Sequence, residues 1–150
     1  MSDMHDTSKL DDLIVTLIDS VKGYEHSAEK AEAGRYRDVF AEMARERRAA
    51  VATLQAASRA EGGKPADYGS AAATLHRRVE DLRVALGGGD AAIVKAVDHG
   101  ENYLKEEFDR VLADDRMSPA AMAAVREAYG SVRRGHDRAS ALKHALEGAG

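Results

Sequence analysis

Glycine-marked breaks cut this chain into long segments whose apolar residues recur at alternating spacings of four and three. In the first segment the series is Leu10, Ile14, Leu17, Val21, Tyr24, Ala28 and Ala31. A helix turns once in about 3.6 residues, so these positions form one continuous stripe, the seam of a left-handed bundle. The second segment repeats the pattern with Tyr36, Phe40, Met43 or Ala44, Arg47, Val51, Leu54 and Ala57 or Ser58. Val94, Val97, Glu101, Leu104, Phe108 and Val111 continue it, as do Met122, Val125, Tyr129, Val132, His136, Ala139, Lys143 and Leu146. No stretch alternates with the period of two that a strand requires, so the fold class is all-α.

The breaks set the boundaries. Gly34 closes the first helix, and Gly62-Gly63 followed by Pro65 closes the second. Gly87-Gly88-Gly89 precedes the cap Asp90, and Ser118-Pro119 restarts the chain as cap and first helical residue. The expected helices cover about 9–33, 35–61, 71–86, 90–113 and 119–147, with residues 1–8 a frayed N-terminus and 9–147 one domain. The short helix between the pairs shows only a narrow stripe, Leu75, Val79, Leu82 and Leu86, enough to lie on a surface. Helices one and two are joined tightly, as are the last two, but about 28 residues separate the pairs. A link that long can run the length of the bundle and set the second and third long helices parallel, the ferritin-like connectivity. An up-and-down bundle with the short helix packed outside is the alternative.

Composition narrows the chemistry. The chain has 29 alanines, two prolines and no tryptophan among its 150 residues, which suits closely packed helices. With no cysteine, disulfides, thiolate metal sites and cysteine nucleophiles are excluded. A net charge of −4 argues against nucleic acid as a partner. No run approaches the roughly 18 apolar residues of a membrane span, and the acidic start MSDMHDTSKLDD does not resemble a signal peptide. The expectation is a cytoplasmic protein with no membrane partner.

Four polar residues interrupt the seams: Tyr24, Arg47, Glu101 and His136. Each falls within about one turn of its helix midpoint, so antiparallel packing gathers them into one layer. Glu25, Glu46 and Asp98 flank the layer, and Gly23, Gly100 and Gly135 each precede one of its members. Three mid-helix glycines at one depth imply that space is needed there. Two readings stand. In one, Arg47 pairs with Glu101, and Tyr24 and His136 complete a closed hydrogen-bonded network. In the other, the layer is a carboxylate–histidine metal site inside the bundle. A dinuclear carboxylate centre needs Glu-x-x-His pairs, but Ala49 stands three residues after Glu46 and Arg133 three before His136. No cofactor is therefore the first expectation, and no residue is assigned a catalytic role. The remaining histidines, His26, His76, His99 and His144, fall on solvent faces, and His5 lies in the frayed start.

Several stretches together resemble a known family: LDDLIVTLIDSVKGYEHSAE, VFAEMARERRAAVATLQ, YGSAAATLHRRVEDLRVAL, GDAAIVKAVDHGENYLKEEFDRVL and VREAYGSVRRGHDRASAL. They are similar to the PA2169-type four-helix-bundle family, bacterial proteins of unknown function near the ferritin-like superfamily. The resemblance covers about residues 9–146, and its recurring points include Gly23-Tyr24, Glu46-Arg47, Gly100-Glu101 and His136-Asp137. It implies a ferritin-like bundle with a long crossover and no settled biochemical role. The arginine after Glu46 belongs to that family's pattern, which favours the closed network. The function expected is non-enzymatic and stress-related, through self-association, such as a homodimer, or an unidentified protein partner. The alternative that the resemblance implies is a ferritin-like protein that holds iron or manganese through Glu46, Glu101 and His136, with Glu25 or Glu29 as fourth ligand.

Overall fold

The computed structural model describes residues 2–69 and 89–149. Among them the chain forms four helices and no strand: α1 (Ser2–Lys30), α2 (Gly34–Ala60), α3 (Gly89–Leu112) and α4 (Pro119–Ala149). The expected short helix at 71–86 lies outside the described residues.

Helix α1 begins earlier than the expected start near residue 9, because its first turns are tied to the far end of the chain. Asp6 is fully buried and accepts a hydrogen bond from the Ser118 backbone N–H at 3.0 Å. His5 Nε2 meets Asp114 Oδ2 at 2.7 Å. These long-range anchors hold a segment that local sequence leaves frayed.

The turn between α1 and α2 is short, and α3 secures it. Asp90 Oδ1 and Oδ2 accept from the backbone N–H groups of Glu32 (2.7 Å) and Ala33 (3.0 Å). Arg37 Nη1 donates to the Glu32 carbonyl at 2.9 Å, in the turn just past α1. At the other end of α2, Gly62 takes φ +80 and its N–H bonds the Arg59 carbonyl, while Gly63 N–H bonds that of Ser58. This is a Schellman stop, and the left-handed residue in it favours glycine. Ser118 caps α4 through Oγ, which accepts from Ala121 N–H at 3.2 Å.

The contacts between helix ends define the topology. The end of α1 meets the start of α3 through Asp90, and its start meets the end of α3 through His5–Asp114, so α1 and α3 are antiparallel. Ser118 Oγ, at the start of α4, donates to Glu61 Oε1, just beyond α2, so α2 and α4 are antiparallel too. Helices α1 and α2 pack most extensively, then α3 with α4, α2 with α4, and α1 with α3. Helices α2 and α3 therefore run parallel on a diagonal, with the end of one and the start of the other at opposite ends of the bundle. Residues 61–69 begin that passage along α1: Ala66 N–H donates to Asp11 Oδ1 at 2.7 Å, and Gly69 lies against Asp19.

The apolar interior falls into two clusters. One contains Leu10, Leu13, Ile14, Leu17, Leu54, Leu104, Phe108, Val125 and Val132. The other contains Tyr24, Tyr36, Phe40, Met43, Ile93 and Val94. Between them, along every helix, sits a polar layer.

Candidate functional site

Arg47 and Glu101 make that layer. Each comes from the inward stripe of its helix, one from α2 and one from α3, and both are almost fully buried, at 1% and 2% exposure. Arg47 Nη1 donates to Glu101 Oε1 at 2.9 Å and Nη2 to Oε2 at 2.8 Å. The planar fork thus engages both carboxylate oxygens, the arrangement in which arginine binds most strongly and directionally. Nη1 also donates to Ser20 Oγ on α1 at 2.6 Å. Burial opposes the guanidinium charge, but the neighbouring carboxylate outweighs it and raises the Arg47 pKa. The cation is fixed in place.

Tyr24 on α1 completes the apolar wall. Its ring lies 5.4 Å from the Arg47 guanidinium carbon, within cation–π range, and packs on Phe40 at 6.2 Å. Burial first, and then the Glu101 charge, push its hydroxyl pKa well above the ordinary tyrosine value. The hydroxyl lies close enough to Glu101 and Arg47 to feel both charges.

Helix α4 contributes to the layer by lacking a side chain. A Cβ at Gly135 would collide with Arg47 Nη2 and come within 2.8 Å of Glu101 Oε2. The backbone of α4 therefore closes over the ion pair, and this is the space that the glycine provides. Gly100 is different, since a Cβ there would meet nothing within 4 Å among the described residues.

The other residues singled out from sequence lie apart. His136, next to Gly135, is half-buried at the α3–α4 seam and makes no bond to Arg47 or Glu101. Its Nε2 meets Asn102 Oδ1 at 2.7 Å and its Nδ1 meets Asp137 Oδ1 at 3.3 Å. Glu25 is exposed and accepts from Arg48 Nη2 at 2.6 Å. Glu46 is half-buried, with Arg138 Nη2 at 3.9 Å. Asp98, at 8% exposure, faces Lys143 Nζ at 3.5 Å. The structure thus brings Tyr24, Arg47 and Glu101 together and leaves His136, Glu25 and Glu46 with separate partners. Ser20 is a participant that the seam pattern does not single out. Ser20 carried a faint signal, standing four residues before Tyr24 and seven before Ser27 on one flank of the seam.

Chemically the Glu101 carboxylate is paired and fixed. Both Glu101 oxygens already accept from a permanent cation, and a general acid or base must exchange its proton near the working pH. Among the described residues no group of three or more histidines, aspartates or glutamates is placed to hold a metal ion. A divalent ion on Glu101 would also face the guanidinium at hydrogen-bond range, so these residues do not fit a metal centre.

Residues 6–114 match the family described as a domain of unknown function, DUF2383. The chain belongs to this family. The DUF2383 match takes in Tyr24, Arg47 and Glu101 and ends before α4, so the glycine that closes over the pair lies outside it. No curated protein and no solved structure matches the chain. Among the described residues no helix is long and apolar enough to cross a membrane.

Proposed function

We propose that this chain is a non-enzymatic ferritin-like bundle in which a buried ion pair stands where ferritin-like relatives carry metal. The observation that carries the reading is the bidentate Arg47–Glu101 pair, nearly fully buried between the two apolar clusters. The parallel, diagonal placement of α2 and α3 supports the ferritin-like assignment, because a single long crossover produces that connectivity. With its centre closed, the protein acts through its outer surface, by self-association or by binding a protein partner in the cytoplasm. That surface includes an apolar groove between the start of α2 and the end of α4, lined by Tyr36, Val39, Leu142 and Leu146.

Elemental analysis of protein purified without chelator tests the closed centre, alongside melting curves with and without manganese and ferrous iron. The expected result is no stoichiometric metal and no ion-dependent shift in Tm. Stoichiometric metal that disappears in Glu101→Gln would replace this reading with the metal-binding alternative. Light scattering across a concentration series then tests self-association, which predicts a mass above that of the single chain.

A further inference from the structure

At one end of the bundle a single serine holds two acidic side chains from different elements. Ser118 N–H donates to Oδ1 of Asp6, which is fully buried at the start of α1. Ser118 Oγ donates to Oε1 of Glu61, just beyond α2, at 3.2 Å. The Asp6 carboxyl also hydrogen-bonds the Glu61 side chain, and Asp6 Oδ2 and Glu61 Oε2 are both sealed from solvent. Ionised carboxylates are acceptors only, so two of them in hydrogen-bond contact need a proton between them. Two negative charges at that range, out of reach of water, do not persist together, and paired carboxyls keep one proton for this reason.

The surroundings decide which member carries the proton. Burial opposes the Asp6 charge, but the bonds from Glu61 and Ser118 and the charge of His5 outweigh it and lower the Asp6 pKa. Asp6 is therefore the carboxylate and Glu61 the acid. His5 in turn faces Asp114 of the α3–α4 loop at 2.7 Å, and Asp114 also takes Arg116 at 3.5 Å. Lys9, one turn on from Asp6, is half-buried, while Arg59 and Lys64 beside Glu61 and Asp115 in the loop are exposed. Helix α4 brings no charged residue before Arg126. We propose that Asp6 and Glu61 form a buried site for one proton, carried by Glu61 and donated to Asp6, and that this acid pair is a pH-sensitive latch fastening the first turns of α1 to the end of α2 and the α3–α4 loop. The folded chain then keeps a proton that the unfolded chain gives up near pH 4, so this contribution is present at acidic pH and lost as pH rises through the pair's upper titration step. Above that step both carboxyls are ionised and repel, which opens the latch. The latch is independent of the partner-binding reading.

Carboxyl ¹³C NMR of the intact chain, followed from about pH 3 to about pH 9, tests the site without any substitution. Two coupled steps shared by Asp6 and Glu61 are expected, the upper at least about one pH unit above the ordinary glutamate value of about 4.3. Amide protection at Thr7, Ser8 and Lys9, corrected for intrinsic exchange, should fall about ten-fold across the upper step, while that at Leu54 and Phe108 holds. Glu61→Gln leaves an amide N–H to donate to Asp6 and removes the titration, so protection in this variant should stay flat over the same range. His5→Gln should retain the step, because the histidine is outside the shared proton. Separate titration of Asp6 and Glu61 in the ordinary carboxyl range would overturn the proposal, with no variant needed. A Glu61→Gln profile that matches the parent, or loss of the step in His5→Gln, would overturn it as well.

Discussion

Replacing Gly135 by alanine adds one methyl group, and the structure predicts that the protein loses stability although alanine is the better helix former. The new Cβ would overlap Arg47 Nη2 and stand 2.8 Å from Glu101 Oε2, whereas ordinary contacts begin near 3.4 Å. A flexible side-chain end could normally move aside. Arg47 is held by Glu101 and Ser20 in a site where it is 1% exposed, so its charge cannot reach water without opening the bundle. Disrupting a buried ion pair costs about 3–5 kcal/mol. The helix preference for alanine over glycine returns about 1 kcal/mol, leaving a net loss of about 2–4 kcal/mol. For a chain of this size that lowers Tm by about 4–16 °C. Gly100→Ala is the matched control, the same change at the same depth with no neighbour within 4 Å among the described residues. It should gain up to about 1 kcal/mol and raise Tm by about 2–4 °C. Circular dichroism melts and urea titrations of the two variants read both signs directly. A Gly135→Ala protein as stable as the parent would refute the claim that α4 is closed against a fixed ion pair.

Arg47→Met and Glu101→Gln should each destabilise by about 3–5 kcal/mol, because each leaves the partner's buried charged or polar group unmatched. The double variant Arg47→Met/Glu101→Leu should lose clearly less than the sum of the single changes; additive losses in urea unfolding would mean that the two residues do not act as a pair. At high pH, the raised Tyr24 pKa means that its contribution to stability is fully present below the unfolded value of about 10 and is lost as pH rises beyond it. Urea midpoints should therefore fall more steeply above pH 10 in the parent than in Tyr24→Phe, and parallel curves would contradict this. Asp90→Ala should cost about 1 kcal/mol, by analogy with the loss of a helix cap, and should speed amide exchange at Glu32 and Ala33. Unchanged exchange there would show that α3 does not secure the turn.

The legible parts of this protein are those that depend on local spacing. Heptad-like stripes placed Arg47 and Glu101 on inward faces at matching depth, because helical periodicity fixes which side chains face a neighbour. Gly62, Gly63 and Ser118 were readable as stops and caps for the same local reason. His136 shared the seam spacing but left the layer, since a residue at the edge of a stripe can turn to the adjacent groove once Asn102 offers an acceptor there. Ser20 was hidden because a single serine beside a seam resembles solvent-facing polarity until the arginine across the interface is placed. The start of α1 is not legible in its own residues, because its order comes from Ser118 and Asp114, more than a hundred residues away.

By itself the sequence determined an all-helical chain with a polar layer at mid-height, because apolar period and glycine punctuation act within a few residues. The tertiary structure decided what the layer is. Only packing reveals that both Glu101 oxygens face one guanidinium, that Gly135 lets a fourth helix close over the pair, and that Gly100 borders a cleft instead. These three glycine and ion-pair roles depend on distances across interfaces. No one-dimensional pattern contains them, because glycines in equivalent positions of two helices look alike until their neighbours arrive.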